Sequence, residues 1–175
     1  MLKKIIYLDR DGVINKDFGY VYKQENFHFI DGVFEACKEF LALGFEIIII
    51  TNQSGIGRGY YTKKDFEILT SYMLSEFQKH KIDILKVYFC HHAPEENCQC
   101  RKPKTGMILQ SLNDFSIDLK NSWLIGDKLS DIECAINSNI ANRVLISQDS
   151  LKSDDFLVAT SLKDSLRYIK DKHEI

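Results

Sequence analysis

Two aspartates two residues apart, Asp9 and Asp11, close a run of four apolar residues, Ile5-Ile6-Tyr7-Leu8, and Gly12 follows them. Carboxylates paired at a strand end suit nucleophilic attack, proton transfer or a divalent cation. Other groups recur at comparable places. Thr51 and Asn52 follow the most hydrophobic run in the chain, Arg101 and Lys102 follow a cysteine-rich segment, and Asp127 follows Trp123-Leu124-Ile125-Gly126. Carboxylates for a cation, a hydroxyl and an amide for hydrogen bonds, and two positive side chains form the inventory of phosphoryl transfer. In that chemistry a metal and fixed cations stabilise charge on the transferring group while a nucleophile attacks in line. Each residue alone has a plainer reading. Asp9 and Asp11 fit a solvated turn, Thr51 a strand end, Asp127 a helix cap, and Asp131 a cap or a supporting contact. The ordered set argues for an enzyme.

A second cluster consists of Cys90, Cys98 and Cys100, with His91 and His92 among them. Clustered cysteines in a chain with no secretion signal point to metal before disulfides. Three thiolates and one imidazole make a tetrahedral set suited to Zn²⁺, with no open position, so the ion would be structural. It would fold the loop 90–103, which is too short for a core of its own, and so place Arg101 and Lys102. Either histidine can serve as the fourth ligand. Cys37 and Cys134 stand alone in helix-like segments and read as small buried hydrophobes.

The elements that must position these groups alternate between strand and helix. Strands are predicted at Ile5–Leu8, Phe45–Ile50, Leu85–Phe89, Trp123–Ile125 and Val144–Ile146. Helices are predicted from Val33 to Leu41 and ended by Gly44, after Thr62 with Asp65 as a capping-box variant, and at about 105–115, 130–137 and 162–169. The last is expected to pack on the edge of the sheet. This alternation predicts an α/β protein, a three-layer doubly wound parallel sheet whose carboxyl edge gathers the chemical groups. The 175 residues read as one domain, 1–175, with no linker or repeat.

Bulk properties narrow the partners. Hydrophobic residues make up 45% and charged residues 27%, ordinary for a globular core, and the net charge of -2 supplies no basic field for nucleic acid. No apolar run approaches the ~20 residues that cross a bilayer, and the N-terminus lacks a signal-peptide pattern. A cytoplasmic location, with no membrane or nucleic-acid partner, is the expectation.

Asp9-Arg10-Asp11-Gly12-Val13, Thr51-Asn52-Gln53, Lys102 and Gly126-Asp127-Lys128-Leu129-Ser130-Asp131 resemble, in order, the four motifs of the haloacid dehalogenase superfamily of phosphatases. The likeness covers residues 5 to about 135. Val13 departs from the more usual threonine, a difference of mainly structural weight. The resemblance implies that Asp9 is the nucleophile, forming an aspartyl phosphate. Asp11 would protonate the leaving oxygen and then activate water, and Thr51 and Lys102 would bind the phosphoryl oxygens. Mg²⁺ would be held by Asp9, the Asp11 backbone carbonyl and Asp127. Beside the charge of Asp9, Asp11 would be placed to carry a proton.

The cysteine loop resembles the Cys-x-His…Cys-x-Cys-Arg-Lys-Pro loops of one branch, which selects Cys90, His92, Cys98 and Cys100 as the zinc ligands. That branch has two main activities, heptose bisphosphate 7-phosphatase and histidinol-phosphate phosphatase. Asp17-Phe18-Gly19-Tyr20-Val21 and Asn52-Gln53-Ser54-Gly55-Ile56-Gly57-Arg58-Gly59-Tyr60 resemble segments of the heptose type. By this likeness Asp17, Gly19, Tyr20, Asn52, Gln53, Ser54, Arg58, Arg101 and Lys128 surround a sugar bisphosphate. Arg101, helped by Arg58, would take the distal phosphate, since guanidinium binds phosphate in a bidentate way. The expected reaction removes the 7-phosphate of D-glycero-D-manno-heptose 1,7-bisphosphate, ahead of nucleotide-activated heptose for surface polysaccharide. Histidinol phosphate hydrolysis is the alternative, and a phosphoacceptor receiver-like switch the alternative of a different class. The resemblance leaves no room for a large cap, so residues 16–22, residues 53–61 and the cysteine loop must enclose the substrate of a monomeric enzyme.

Overall fold

A computed structural model describes residues 1–173. Ile5–Leu8 form β1, and all four side chains are fully buried. A strand apolar on both faces needs a covering layer on each side. The alternation of side chains across the sheet supplies it. Ile6 and Leu8, with Ile47 and Ile49 of β2 (Glu46–Asn52), join one core with α1 (Val33–Ala42) and α3 (Lys63–Lys79). Ile5 and Tyr7, with Ile48 and Ile50, join a second core with α4 (Gly106–Asp114) and α5 (Leu129–Asn137). Fully burying each of these isoleucines contributes about 1.5–3 kcal/mol.

The remaining strands are β3 (Ile84–Cys90), β4 (Trp123–Gly126), β5 (Asn142–Ile146) and β6 (Leu157–Ala159). The six run in the order β3-β2-β1-β4-β5-β6, and every neighbouring pair is parallel. The predicted α/β doubly wound sheet is therefore present. From β1 the chain steps outward to β2 and β3, then crosses back to β4 on the other side. The switch point lies between β1 and β4, where such sheets place ligands at the strand carboxyl ends.

Local chemistry accounts for the element ends. Thr62 caps α3: its Oγ1 accepts from Asp65 N–H at 3.1 Å, and Asp65 Oδ2 accepts from Thr62 N–H at 2.8 Å, the predicted capping box. After α1, Gly44 N–H bonds Leu41 O at 3.0 Å and Phe45 N–H bonds Phe40 O at 3.0 Å, so the chain turns directly into β2.

Three features go beyond the sequence expectation. The strand β6 was not predicted, and the final helix, α6 (Leu162–His173), packs on α1 as well as on β6. Ion pairs Lys163–Glu35 at 2.6 Å and Lys170–Glu39 at 2.7 Å flank the α1–α6 contact. The helix thus packs on the edge strand, as expected, and also covers a face, with Leu162 and Ile169 in the first core. A short helix, α2 (Ser54–Gly57), occupies the glycine-rich segment after β2. No helix among the described residues is long and apolar enough to cross a membrane.

Candidate active site

Past β1 the backbone is held against its neighbour: Asp9 N–H donates to Ile125 O of β4 at 3.1 Å. The Asp9 carboxylate, 7% exposed, therefore stands at the switch point. Asp127 follows β4 and lies against the turn after β1. Gly12 sits there at φ +88°, and a Cβ at this position would lie 2.1 Å from Asp127 Oδ2. Only glycine both tolerates that backbone and leaves the carboxylate room.

Carboxylate oxygens of Asp9, Asp127 and Asp131 lie within 4.8 Å of one another. Burial, followed by the negative charge of Asp131 and then of Asp127, pushes the Asp9 carboxyl well above the usual range, against the pull of Lys102. Burial likewise pushes Asp127 upward. Crowded carboxylates of this kind suit a hard divalent cation with oxygen ligands. Asp131 is already engaged, its Oδ1 with Lys102 Nζ at 2.6 Å and its Oδ2 with Lys128 N–H at 3.1 Å. Asp127 Oδ1, by contrast, is buried with no hydrogen-bond partner. Among the described residues no backbone N–H donates to the Asp11 carbonyl. The carboxylates of Asp9 and Asp127 thus fit a cation, with Asp131 as their neighbour and the Asp11 carbonyl left without a backbone donor.

Lys102 joins three strands' worth of chain. Its Nζ lies 2.9 Å from Asp9 Oδ1, 2.6 Å from Asp131 Oδ1 and 2.9 Å from Ile50 O. Its backbone is clamped by Asn52, which accepts from Lys102 N–H at 3.0 Å and donates to Lys102 O at 3.2 Å. Both ends of the Asn52 amide are occupied in holding Lys102. Burial opposes the Lys102 charge, yet Asp131 and Asp9 outweigh it and hold the ammonium above its ordinary value.

Asp11 faces a different neighbourhood from the one its spacing suggested. Its nearest partners are donors, not the Asp9 anion: Arg10 Nε and Nη2 at 3.2 and 2.9 Å, Asn15 Nδ2 at 3.0 Å and Gln53 Nε2 at 3.0 Å. Gln53 also donates to Thr51 Oγ1 at 2.8 Å and accepts from the Tyr61 hydroxyl at 2.5 Å. It ties the strand end that carries Thr51 to the carboxylate of Asp11.

These groups surround a cleft of about 290 Å³. Asp9, Asp11 and Lys102 line it, as do Asp17, Gly19 and Tyr20 from the first loop. Asn52, Gln53, Ser54 and Arg58 line it from the segment around α2, and Arg101 and Lys128 complete the expected set. Thr51 and Asp127 do not line it. Thr51 is 1% exposed, and its hydroxyl accepts from Gln53, which does line the cleft. Three lining residues escaped the sequence reading as site residues: Tyr61, Ser130 and Asp131. Asp131, which the sequence offers as a cap or a supporting contact, left a further signal in the glycine before Asp127. A Cβ on Gly126 would lie 2.3 Å from the Asp131 carboxylate, so that glycine leaves space for it.

The cysteine loop closes on itself beside the cleft. Cys90, His92, Cys98 and Cys100 bring their ligand atoms within 4.8 Å of one another. Sulfur–sulfur separations are 3.0, 3.5 and 3.7 Å, and His92 Nδ1 lies 3.6 Å from Cys90 Sγ and 3.3 Å from Cys100 Sγ. A tetrahedron with metal–sulfur bonds of ~2.3 Å has edges of about 3.8 Å, so the four atoms stand slightly closer than such an ion's ligands and suit it after a small expansion. His91 stays outside the cluster and packs its ring on His92, centroids 4.0 Å apart. Burial works against the Cys98 thiolate, yet the backbone N–H groups of Arg101 and Cys100 hold this thiol below its ordinary value.

A protein-family model described as polynucleotide kinase 3 phosphatase matches residues 4–162. The chain is 48% identical over 172 residues to a D-glycero-alpha-D-manno-heptose-1,7-bisphosphate 7-phosphatase of Campylobacter jejuni, covering 98% of this chain and 99% of that protein. It is 46% identical over 169 residues to a D-glycero-beta-D-manno-heptose-1,7-bisphosphate 7-phosphatase of Helicobacter pylori, covering 95% and 97%. Its fold is similar to the crystal structure of the D,D-heptose 1,7-bisphosphate phosphatase from B. bronchiseptica complexed with magnesium and phosphate. That match has a TM-score of 0.85 and 24% identity, covering 97% of this chain and 99% of the other. A parallel sheet that sets Asp9 and Asp131 against Lys102 at its switch point, with Asp127 beside them, defines a phosphatase of the haloacid dehalogenase superfamily. Within it, the chain belongs to the family of D-glycero-D-manno-heptose-1,7-bisphosphate 7-phosphatases.

Proposed function

We propose that the protein removes the 7-phosphate of D-glycero-D-manno-heptose 1,7-bisphosphate, leaving the 1-phosphate for nucleotide activation. The observation that carries the bisphosphate reading is Arg101. It lines the cleft one residue from Lys102, and its Nη1 is buried with no hydrogen-bond partner. Arg58 and Lys128 also line the cleft, but Arg58 lies 3.6 Å from Glu95 and Lys128 lies 4.0 Å from Asp17. Arg101 is therefore the cation left to meet a second phosphate. Relatives named for the α and the β anomer are similar at 48% and 46% identity, so both anomers belong in the assay.

In this reading Asp9 attacks the phosphorus in line and the sugar oxygen departs with a proton from Asp11. Asp11 then takes a proton from the water that releases phosphate from Asp9. Lys102 neutralises charge beside the reacting carboxylate, and Asn52 keeps its backbone in place. Gln53 couples the Thr51 strand end to Asp11. Asp9, Asp127 and the Asp11 carbonyl would hold Mg²⁺, which supplies charge stabilisation to the phosphoryl oxygens and keeps Asp9 ionised. Cys90, His92, Cys98 and Cys100 would hold a structural Zn²⁺, which folds the loop that carries Arg101 and Lys102.

Phosphate release from both anomers of the bisphosphate and from histidinol phosphate, side by side with Mg²⁺, tests the proposal. A kcat/KM preference for either heptose anomer is expected. A preference for histidinol phosphate overturns the substrate. A long-lived phosphorylated Asp9 without turnover would instead mark a switch.

A further inference from the structure

Arg10 separates the two aspartates in the chain and heads the largest completely buried side chains, at 1% exposed. A guanidinium removed from water is costly unless it is well paired. The fork of Arg10 grips both oxygens of Asp11, Nε on Oδ2 at 3.2 Å and Nη2 on Oδ1 at 2.9 Å. Nη2 also donates to the carbonyl of Val21 at 2.7 Å. The guanidinium lies 5.8 Å from the ring centre of Phe27 and 5.9 Å from that of Phe66. One side chain therefore joins the turn after β1, the loop 16–22, the segment before α1, and α3.

Two features separate this arrangement from ordinary core filling. Nη1 of Arg10 is buried with no partner, a poor choice where stability alone is served. The bidentate contact also sets both the position and the plane of a carboxylate, which the single bonds from Asn15 and Gln53 do not. Val21, the other anchor, directly follows Tyr20, which lines the cleft.

We propose that Arg10 is the positioning residue of Asp11: its fork fixes the place and plane of the Asp11 carboxylate in the cleft and ties it to the loop 16–22 beside the substrate, while the single bond from Asn15 or Gln53 yields the oxygen site at which Asp11 carries its proton. The proposal rests on the assignment of Asp11 as the proton carrier.

The test compares kcat/KM for the heptose bisphosphate and for 4-nitrophenyl phosphate in the wild type, Arg10→Lys and Arg10→Met, each loaded with Mg²⁺ and Zn²⁺. A sugar alkoxide needs a proton to leave, whereas nitrophenolate leaves without one. The ratio kcat/KM ends at formation of the phosphoenzyme, so the later activation of water does not enter. Arg10→Met is expected to lower the bisphosphate value by ~10²-fold and the nitrophenyl value by ~10-fold or less, with Arg10→Lys intermediate but equally selective. An equal fall for both substrates, or no fall, overturns the proposal. Should Arg10→Met not fold, Arg10→Lys, which keeps the charge, decides by the same ratio. In an Asp11→Asn background, Arg10→Lys should change the bisphosphate value by about twofold or less, because the group it positions is gone. A full additional loss there also overturns it. Failure of the underlying reading shows separately, as no bisphosphate turnover by the wild type or as full activity in Asp11→Asn alone.

Discussion

Lys102 and Asp131 form an ion pair 2.6 Å long in which both side chains are 2% exposed. Lys102 belongs to the loop after β3 and Asp131 to the first turn of α5, so the pair spans the carboxyl edge of the sheet. It also divides the charge of one ammonium between Asp131 and Asp9. Asp131→Asn should therefore weaken the fold and the site together. Breaking a buried pair costs up to about 3–5 kcal/mol, and the remaining Lys102–Asp9 contact sets the loss toward the lower end. Urea unfolding and kcat/KM measured on the same variant check this. A variant with wild-type midpoint and activity would contradict it.

Asp9 carries a cost in the metal-free protein, and the sign of its pH dependence follows. Its folded carboxyl is held well above the usual range, chiefly by burial. The folded chain thus binds the Asp9 proton more tightly than the unfolded chain, and stability is lost as pH rises. The cost is absent below the unfolded carboxyl value of about 3.9 and complete above the folded one. In a chelator selective for Mg²⁺ over the cysteine site, Asp9→Asn should unfold at a higher temperature than the wild type at neutral pH. The gap should shrink toward pH 4 and when Mg²⁺ is added. Calorimetry across pH reads both trends, while the same variant should have no turnover.

Gly12 offers a steric test of the cation site. An added Cβ would meet Asp127 Oδ2 at 2.1 Å on a backbone with φ +88°. Gly12→Ala should displace Asp127 and raise the Mg²⁺ concentration needed for half-maximal activity by ~10-fold or more. The strained backbone adds a stability loss of roughly 1 kcal/mol. Activity titrated against Mg²⁺ gives the first quantity, and an unchanged titration would exclude the contact between Gly12 and Asp127 as a determinant of metal binding.

The cysteine loop should behave as a metal-dependent scaffold. Cys100→Ser removes an atom 3.0 Å from Cys90 Sγ and 3.3 Å from His92 Nδ1. Zinc content should fall from about one ion per chain to near none, as the four-ligand set loses closure. Activity should fall with it, because Arg101 and Lys102 directly follow Cys100. Mg²⁺ should not restore that activity, whereas Zn²⁺ added to chelated wild type should. Elemental analysis and assay on the same samples decide.

Part of this protein was legible in the chain because the signals are local. Ile47 to Ile50 form an apolar run that only a strand buried on both faces can use, and Thr62 with Asp65 carries its own cap. Cys90, His92, Cys98 and Cys100 lie close enough in sequence for one loop to gather them. Leu157–Ala159 gave no such signal, since a three-residue strand is too short to show a period and exists because β5 offers it an edge. The helix Ser54–Gly57 is one turn long and looked like a glycine-rich loop for the same reason.

The order of acids, threonine and lysine at successive strand ends was a property of the sequence, and with it the class of chemistry at the switch point. Tertiary structure alone decided which way those side chains face. Asp9 and Asp11 are two residues apart, yet one meets Lys102 and the other meets Arg10, Asn15 and Gln53. Thr51 is buried behind Gln53's hydrogen bond, Asn52 holds the Lys102 backbone, and Asp131 shares the Lys102 charge. Spacing along the chain sets which strand end a residue occupies. The balance of charge and hydrogen bonds is set by distances between residues as remote as 9, 102 and 131, and those exist only once the sheet has brought three strand ends together.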